Sequence, residues 1–213
     1  LQAQQFILQL APSRIIQLLA LYHGSANLVT AHLWDSDSNE YNTPYVRRLL
    51  PGHKTVIYNL VYRMAGFYVA RGNPQNIVGW PDLGRPALRL INRECGSGAR
   101  VLLDEQIRIL NLDRLTLNGY EREVTSHLAV ASAIARGEAD VGVGIEKAAS
   151  QVQNIEFIPL QKERYDLVMR QEDVGLPHFQ LLLNILRSPF FQAEIQGMGG
   201  YDLSKMGQLM AEL

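Results

Sequence analysis

The stretch NRECGSGARVLLDEQ, Asn92 to Gln106, sets three small residues, Gly96, Ser97 and Gly98, directly before a run with helical apolar spacing. Two chemistries fit that pattern. Ser97 can be an N-cap whose hydroxyl satisfies one main-chain donor while the glycines let the backbone turn. Alternatively, the first helical N–H groups stay open and grip an anion, because a helix start carries unpaired donors and partial positive charge. The motif alone leaves both open. Cys95 lies in the same turn, but no histidine is identifiable as its partner, so a structural role is expected. Asp35, Asp37, Asn39 and Glu40 in SDSNEYN suggest calcium at first sight. They lack the turn glycine and the distal glutamate of a calcium loop, so a solvated loop is expected. His23, His53 and His178 show no metal-ligand spacing.

The elements that would carry these residues alternate along the chain. QFILQL (Gln5 to Leu10) and ANLVTAHLW read as strands, and between them PSRIIQLLALYHG reads as a helix capped by Ser13 and stopped by Gly24. A short helix is expected near Tyr45–Leu50. TVIYNLVYRMAGFYVA is β-rich but too long for one ordinary strand. LRLIN should feed the Gly-Ser-Gly turn and a helix over Ala99–Leu110. A second helix is expected over Thr125–Ala135, before the strand ADVGVGI. IEFIPL and YDLVM read as two more strands, and the end of the chain as helices over Pro177–Leu186 and Pro189–Gln196. Strands separated by helices imply an α/β protein with mainly parallel sheets.

An internal echo sharpens this. Gly24-Ser25-Ala26-Asn27 matches Gly137-Glu138-Ala139-Asp140, each after a helix and before an apolar strand. Eleven residues before each glycine stands a serine, Ser13 or Ser126. Two similar α/β units with equivalent helix starts would produce this pattern. In open α/β sheets, ligands sit beyond the carboxyl ends of strands, where helix starts converge.

Composition narrows the classes. With 213 residues, 47% hydrophobic and 19% charged, the chain reads as one globular domain or two small lobes. A formal net charge of −1 without a basic block offers no nucleic-acid surface. One cysteine excludes an internal disulfide. No apolar run reaches the roughly 18 residues that a membrane-spanning helix needs, so no membrane partner is expected. The start at Leu1, without a methionine, suggests a fragment.

Six segments in order carry a family resemblance: NEYNTPYVRRLLPG, GFYVARGNPQNIVGWPDL, NRECGSGARVLLDEQ, REVTSHLAVASAIARGEADVGVGIE, FIPLQKERYDLVM and LRSPFFQAEIQGMGGYDLS. Together they resemble the periplasmic-binding-protein-like domain (type II) of bacterial molybdate-related regulators and molybdopterin-biosynthesis-associated proteins. The resemblance implies two α/β lobes with a ligand cleft. Lobe 1 would comprise residues 1–65 and 172–213, and lobe 2 residues 66–171. Such a domain opens with a strand and a small-residue loop that do not precede QFILQL, so the first strand of lobe 1 is expected to be missing.

The resemblance also implies a ligand set. Ser13 would serve lobe 1, while Ser97, Gly98, Ala99, Thr125 and Ser126 would serve two helix starts of lobe 2. Ile145 matches a further contact position, although the tyrosine frequent there in molybdate binders is absent, which leaves the ligand open. His32 and His127 add donors near two of these loops. Arg93 and Arg100 flank the turn, where an arginine can clamp a larger anion such as a phosphate-bearing pterin. The expected ligand is a small anion of the molybdate or tungstate type, held by neutral donors without a cofactor or catalytic residue. DNA would be reached only through a separate N-terminal module, a homodimer stays open, and a cytoplasmic sensor is expected. The alternative is a periplasmic or extracellular receptor of an ABC transporter. An enzyme using Cys95 or His127 is disfavoured, because no nucleophile–base–orienter set can be assembled.

Overall fold

The computed structural model describes residues 13–213, so the strand expected at Gln5–Leu10 lies outside the described residues. The chain forms two compact units, one of residues 13–62 with Arg164–Leu213 and one of Arg63–Glu163.

The first unit opens with α1 (Arg14–Tyr22), capped as expected by Ser13, whose hydroxyl accepts from the Ile16 N–H at 3.4 Å. The helix stops at Gly24, where φ is +71°. β1 (Leu28–Ala31) follows, then a hairpin of β2 (Trp34–Asp35) and β3 (Glu40–Tyr41), then α2 (Thr43–Leu49). The turn between β2 and β3 is solvated as expected, with Asp37, Asn39 and Glu40 exposed, but its base is not. Asp35 is buried, accepts from the Ser38 hydroxyl at 2.7 Å, and pairs with Arg48 at 3.0 Å.

β4 runs unbroken over Thr55–Ala70, although its 16 residues exceed an ordinary strand. Its length is sustained because its partners change along it. Residues 56–58 pair with the chain's end, whereas Ala65–Val69 pair with β7 (Val141–Ile145). In the second unit, β5 (Leu90–Arg93) leads to α3 (Gly98–Ile109), β6 (Glu123–Val124) to α4 (His127–Ala135), and β7 to the short α5 (Glu146–Ala149). β5 is parallel to both β6 and β7. The core of this unit joins Tyr68, Ile91, Val130 and Ile134.

IEFIPL and YDLVM are one strand, β8 (Ile155–Arg170), rather than two. Pro159 masked its continuity in the sequence. Proline is tolerated at a sheet edge, and β1 pairs with β8 only from Asp166 to Met169. Gly66 lets the strands come close: a Cβ there would sit 2.0 Å from the Ile158 carbonyl oxygen.

The chain returns through α6 (Pro177–Arg187) and α7 (Pro189–Met198), both begun by proline at a position where its missing N–H costs nothing. Phe179, Leu183 and Leu186 of α6 pack with Leu28 and Met169; burial of such side chains contributes roughly 1.5–3 kcal/mol each. Two strands after the helices, β9 (Tyr201–Asp202) and β10 (Leu209–Glu212), pair with β4, so the chain's end is not wholly helical. The sheet is also mixed rather than mainly parallel, since β1–β8, β4–β7 and β4–β10 are antiparallel.

The echo is real at the level of hydrogen bonds. Gly24 and Gly137 have φ of +71° and +72°. Ser25 N–H donates to Ala20 O at 2.9 Å, and Glu138 N–H to Ala133 O at 3.0 Å. Both helices thus end in the same glycine-dependent cap, and Ala26 and Ala139 are both buried behind it.

Candidate functional site

In the second unit, three parallel strands deliver their carboxyl ends side by side, and each feeds a helix. Arg93 ends β5, Val124 ends β6, and Ile145 ends β7. Their order, β7-β5-β6, puts the start of α3 in the middle.

Ser97 is the N-cap of α3. Its hydroxyl accepts from Arg100 N–H at 3.3 Å, and its own N–H donates to Glu94 O. Capping therefore uses the donors at both ends of the turn and leaves those of Gly98 and Ala99. Both residues are buried, and among the described residues neither N–H finds an acceptor. The first N–H groups of a helix have no intrahelical acceptor, so these two stay open to an acceptor from outside the helix. Ser126 caps α4 in the same manner, accepting from Ala129 N–H at 3.0 Å, but there Thr125 and Ser126 are exposed.

Arg93 joins these two starts. Its Nη2 donates to Thr125 O at 3.2 Å, while Nε and Nη2 each reach the Glu94 carboxylate at 2.7 Å. Arg100 is differently employed. It is 5% exposed, bonds Glu123 at 2.8 Å and Asp104 at 3.1 Å, and lies 4.1 Å above the Tyr120 ring. Its guanidinium binds α3 to β6. At Ile145 the main chain is engaged by Tyr68, whose hydroxyl accepts from the Ile145 N–H at 2.7 Å and donates to its carbonyl at 2.8 Å. Burial pushes the Tyr68 phenol well above its ordinary range, so it remains a neutral donor and acceptor. His127 opens α4 and is half-buried.

The first unit gathers its own polar group at the end of β1. Ser13 and His32 are both buried. His32 packs against Tyr165 with ring centroids 4.8 Å apart and the rings tilted by 42°. Thr30 Oγ1 is the hub: Arg14 Nη1 donates to it at 2.8 Å, it bonds the Gln17 side chain at 3.2 Å, and it meets Tyr165 Oη at 3.2 Å. Arg14, Thr30 and Tyr165 escaped the sequence reading. Gln17 within an apolar helix face and Thr30 within an apolar strand were the available signals. No group of acidic, histidine or cysteine side chains that could hold a metal occurs among the described residues, and no described helix is long and apolar enough to cross a membrane.

Residues 17–187 match the family model of the PBP superfamily domain. The chain belongs to the PBP superfamily. As a PBP superfamily domain, it is 42% identical over 195 residues to the uncharacterized protein YvgK of Bacillus subtilis (strain 168), covering 92% of this chain and 62% of YvgK. The chain thus spans less than two thirds of that relative. Among solved structures, it is similar to the ancestral amino acid-binding protein AncCDT-1, a precursor of cyclohexadienyl dehydratase (TM-score 0.60, 14% identity, 85% of this chain and 72% of that one). It is also similar to an ABC-type phosphate transport receptor from Vibrio cholerae (TM-score 0.56, 14% identity, 89% and 84%). At such identities the likeness is one of fold. That fold is mixed α/β, of the type II periplasmic-binding-protein-like kind, and it resembles binding proteins rather than enzymes.

Proposed function

We propose that this PBP superfamily domain binds and senses a small anion, of the molybdate or tungstate type or a related molybdenum-cofactor metabolite. The observation that carries the reading is the start of the twelve-residue α3, where the Gly98 and Ala99 N–H groups have no acceptor among the described residues and stand at the carboxyl ends of the parallel strands. Such donors suit an oxyanion, which accepts on every edge and gains from the positive end of the helix. The hydroxyls of Ser97 and Ser126 add neutral donors, and Arg93 adds charge. No cofactor is required. The role we assign is the effector domain of a bacterial transcriptional regulator in the cytoplasm, with DNA contacted by a separate module. The length of YvgK beyond the matched part agrees with a domain that works inside a larger chain.

Calorimetry with molybdate, tungstate, sulfate and phosphate tests the reading on the wild type and on Ser97→Ala. Loss of the cap alone should cost about 1 kcal/mol of stability. A hydroxyl that also serves a charged ligand should cost a further 1.5–3 kcal/mol of affinity, roughly ten- to a hundredfold. A lowered melting temperature with unchanged affinity would leave Ser97 as a cap only.

A further inference from the structure

The Arg93–Glu94 pair is more specific than the fold requires. Both side chains are largely enclosed, 10% and 14% exposed. Glu94 fills the guanidinium fork with two parallel bonds of 2.7 Å, the geometry by which arginine recognises carboxylate and phosphate groups. An ion pair does most for a fold where it joins elements distant in the chain or successive turns of a helix. This one joins neighbouring residues whose proximity is already covalent, so it adds little to holding the unit together. Its effect is local. It keeps two anionic oxygens on a guanidinium that also touches Thr125 O, at the start of α4.

We propose that Glu94 is a resident surrogate for the ligand. An incoming anion with two oxygens along one edge, a carboxylate or a phosphate group, takes the Arg93 fork, and the Glu94 side chain moves to solvent. The inference rests on the small-anion reading and narrows it. The ligand must outcompete an intramolecular carboxylate, so its apparent affinity is reduced by the fraction of molecules in which Glu94 holds the fork. Ligands that cannot bridge the fork are screened out, and the threshold concentration for sensing rises.

Cys95 supplies an independent readout. It follows Glu94, is exposed, and is the chain's single cysteine. The rate at which it exchanges with a chromogenic disulfide depends on access to the thiolate, so it should report movement of Glu94. The probes are inorganic phosphate, molybdate and succinate, titrated into the whole chain. Glu94→Gln should tighten phosphate or succinate by about tenfold or more, since the competitor is gone. Arg93→Lys keeps the charge but not the fork, and should bind more weakly than wild type. Saturating phosphate should change the Cys95 rate in the wild type and leave it unchanged in Glu94→Gln. Glu94→Asp, which keeps the charge on a shorter arm, should fall between wild type and Glu94→Gln and serves if the latter does not fold. If Ser97→Ala weakens binding while a folded Glu94→Gln leaves it equal or weaker, the surrogate is refuted and the small-anion reading stands. If no probe binds either the wild type or Glu94→Gln, both are refuted.

Discussion

At the scale of single residues, the unit's side chains divide between those that hold the fold and those that face the strand ends. Arg89 and Asp140 belong to the first group. Asp140 accepts from Arg89 Nε at 3.0 Å, Nη2 at 2.7 Å and the Arg89 main-chain N–H at 2.8 Å. The Arg89 side-chain hydrogen bonds hold the Asp140 carboxyl below its ordinary 3.8, opposed by partial burial. The folded pKa therefore lies below the unfolded one. The stability it contributes is fully present above about pH 4 and is lost as pH falls through the folded value. Thermal melts of the wild type and Arg89→Gln should differ near pH 7 and converge in acid, as pH falls through the lowered Asp140 value. A difference that persists undiminished in acid would show that Arg89 acts through packing instead. Asn27 occupies the echo position in the first unit and cannot form this pair, so the acid-sensitive tie belongs to one unit only.

At the scale of elements, the turns were legible in the sequence and the long strands were not. Ser13, Ser97 and Ser126 are caps, and Gly24 and Gly137 are stops, because each device is local: a hydroxyl reaching three residues ahead, or a backbone held at positive φ. The continuity of β4 and β8 depends on partners far along the chain, which spacing cannot supply. β10 depends likewise on register with Val56–Tyr58. Part of the candidate site was legible for the same reason as the caps. The Gly-Ser-Gly turn announces a helix start, whereas Tyr68 reaches Ile145 across 77 positions and leaves no local trace. The glycines separate these effects experimentally. A Cβ on Gly137 meets nothing, so Gly137→Ala should cost only its positive φ, roughly 1–2 kcal/mol. A Cβ on Gly144 would lie 2.0 Å from the Tyr68 ring. Gly144→Ala should therefore cost more than Gly137→Ala, up to about 3 kcal/mol through overpacking, and release the β7–α5 turn from Tyr68. Denaturant unfolding would distinguish them, and equal costs would mean that Tyr68 yields freely.

At the scale of the whole molecule, membership of the PBP superfamily and a net charge of −1 point away from nucleic acid and toward a small ligand. With a net charge of −1 and no basic run in the sequence, this chain alone should show little DNA affinity at physiological salt. A tight, salt-sensitive gel shift would overturn that expectation. The proposed function requires that an anion bind where β5, β6 and β7 hand over to their helices. Amide chemical shifts followed during titration with molybdate and with phosphate test it most directly, because they report which main-chain donors meet the ligand. The Gly98 and Ala99 amides should move first and furthest, with the start of α4 following. Saturable shifts confined to another surface, such as the depression lined by His53, Lys54 and Arg170, or no saturable shift at all, would contradict it.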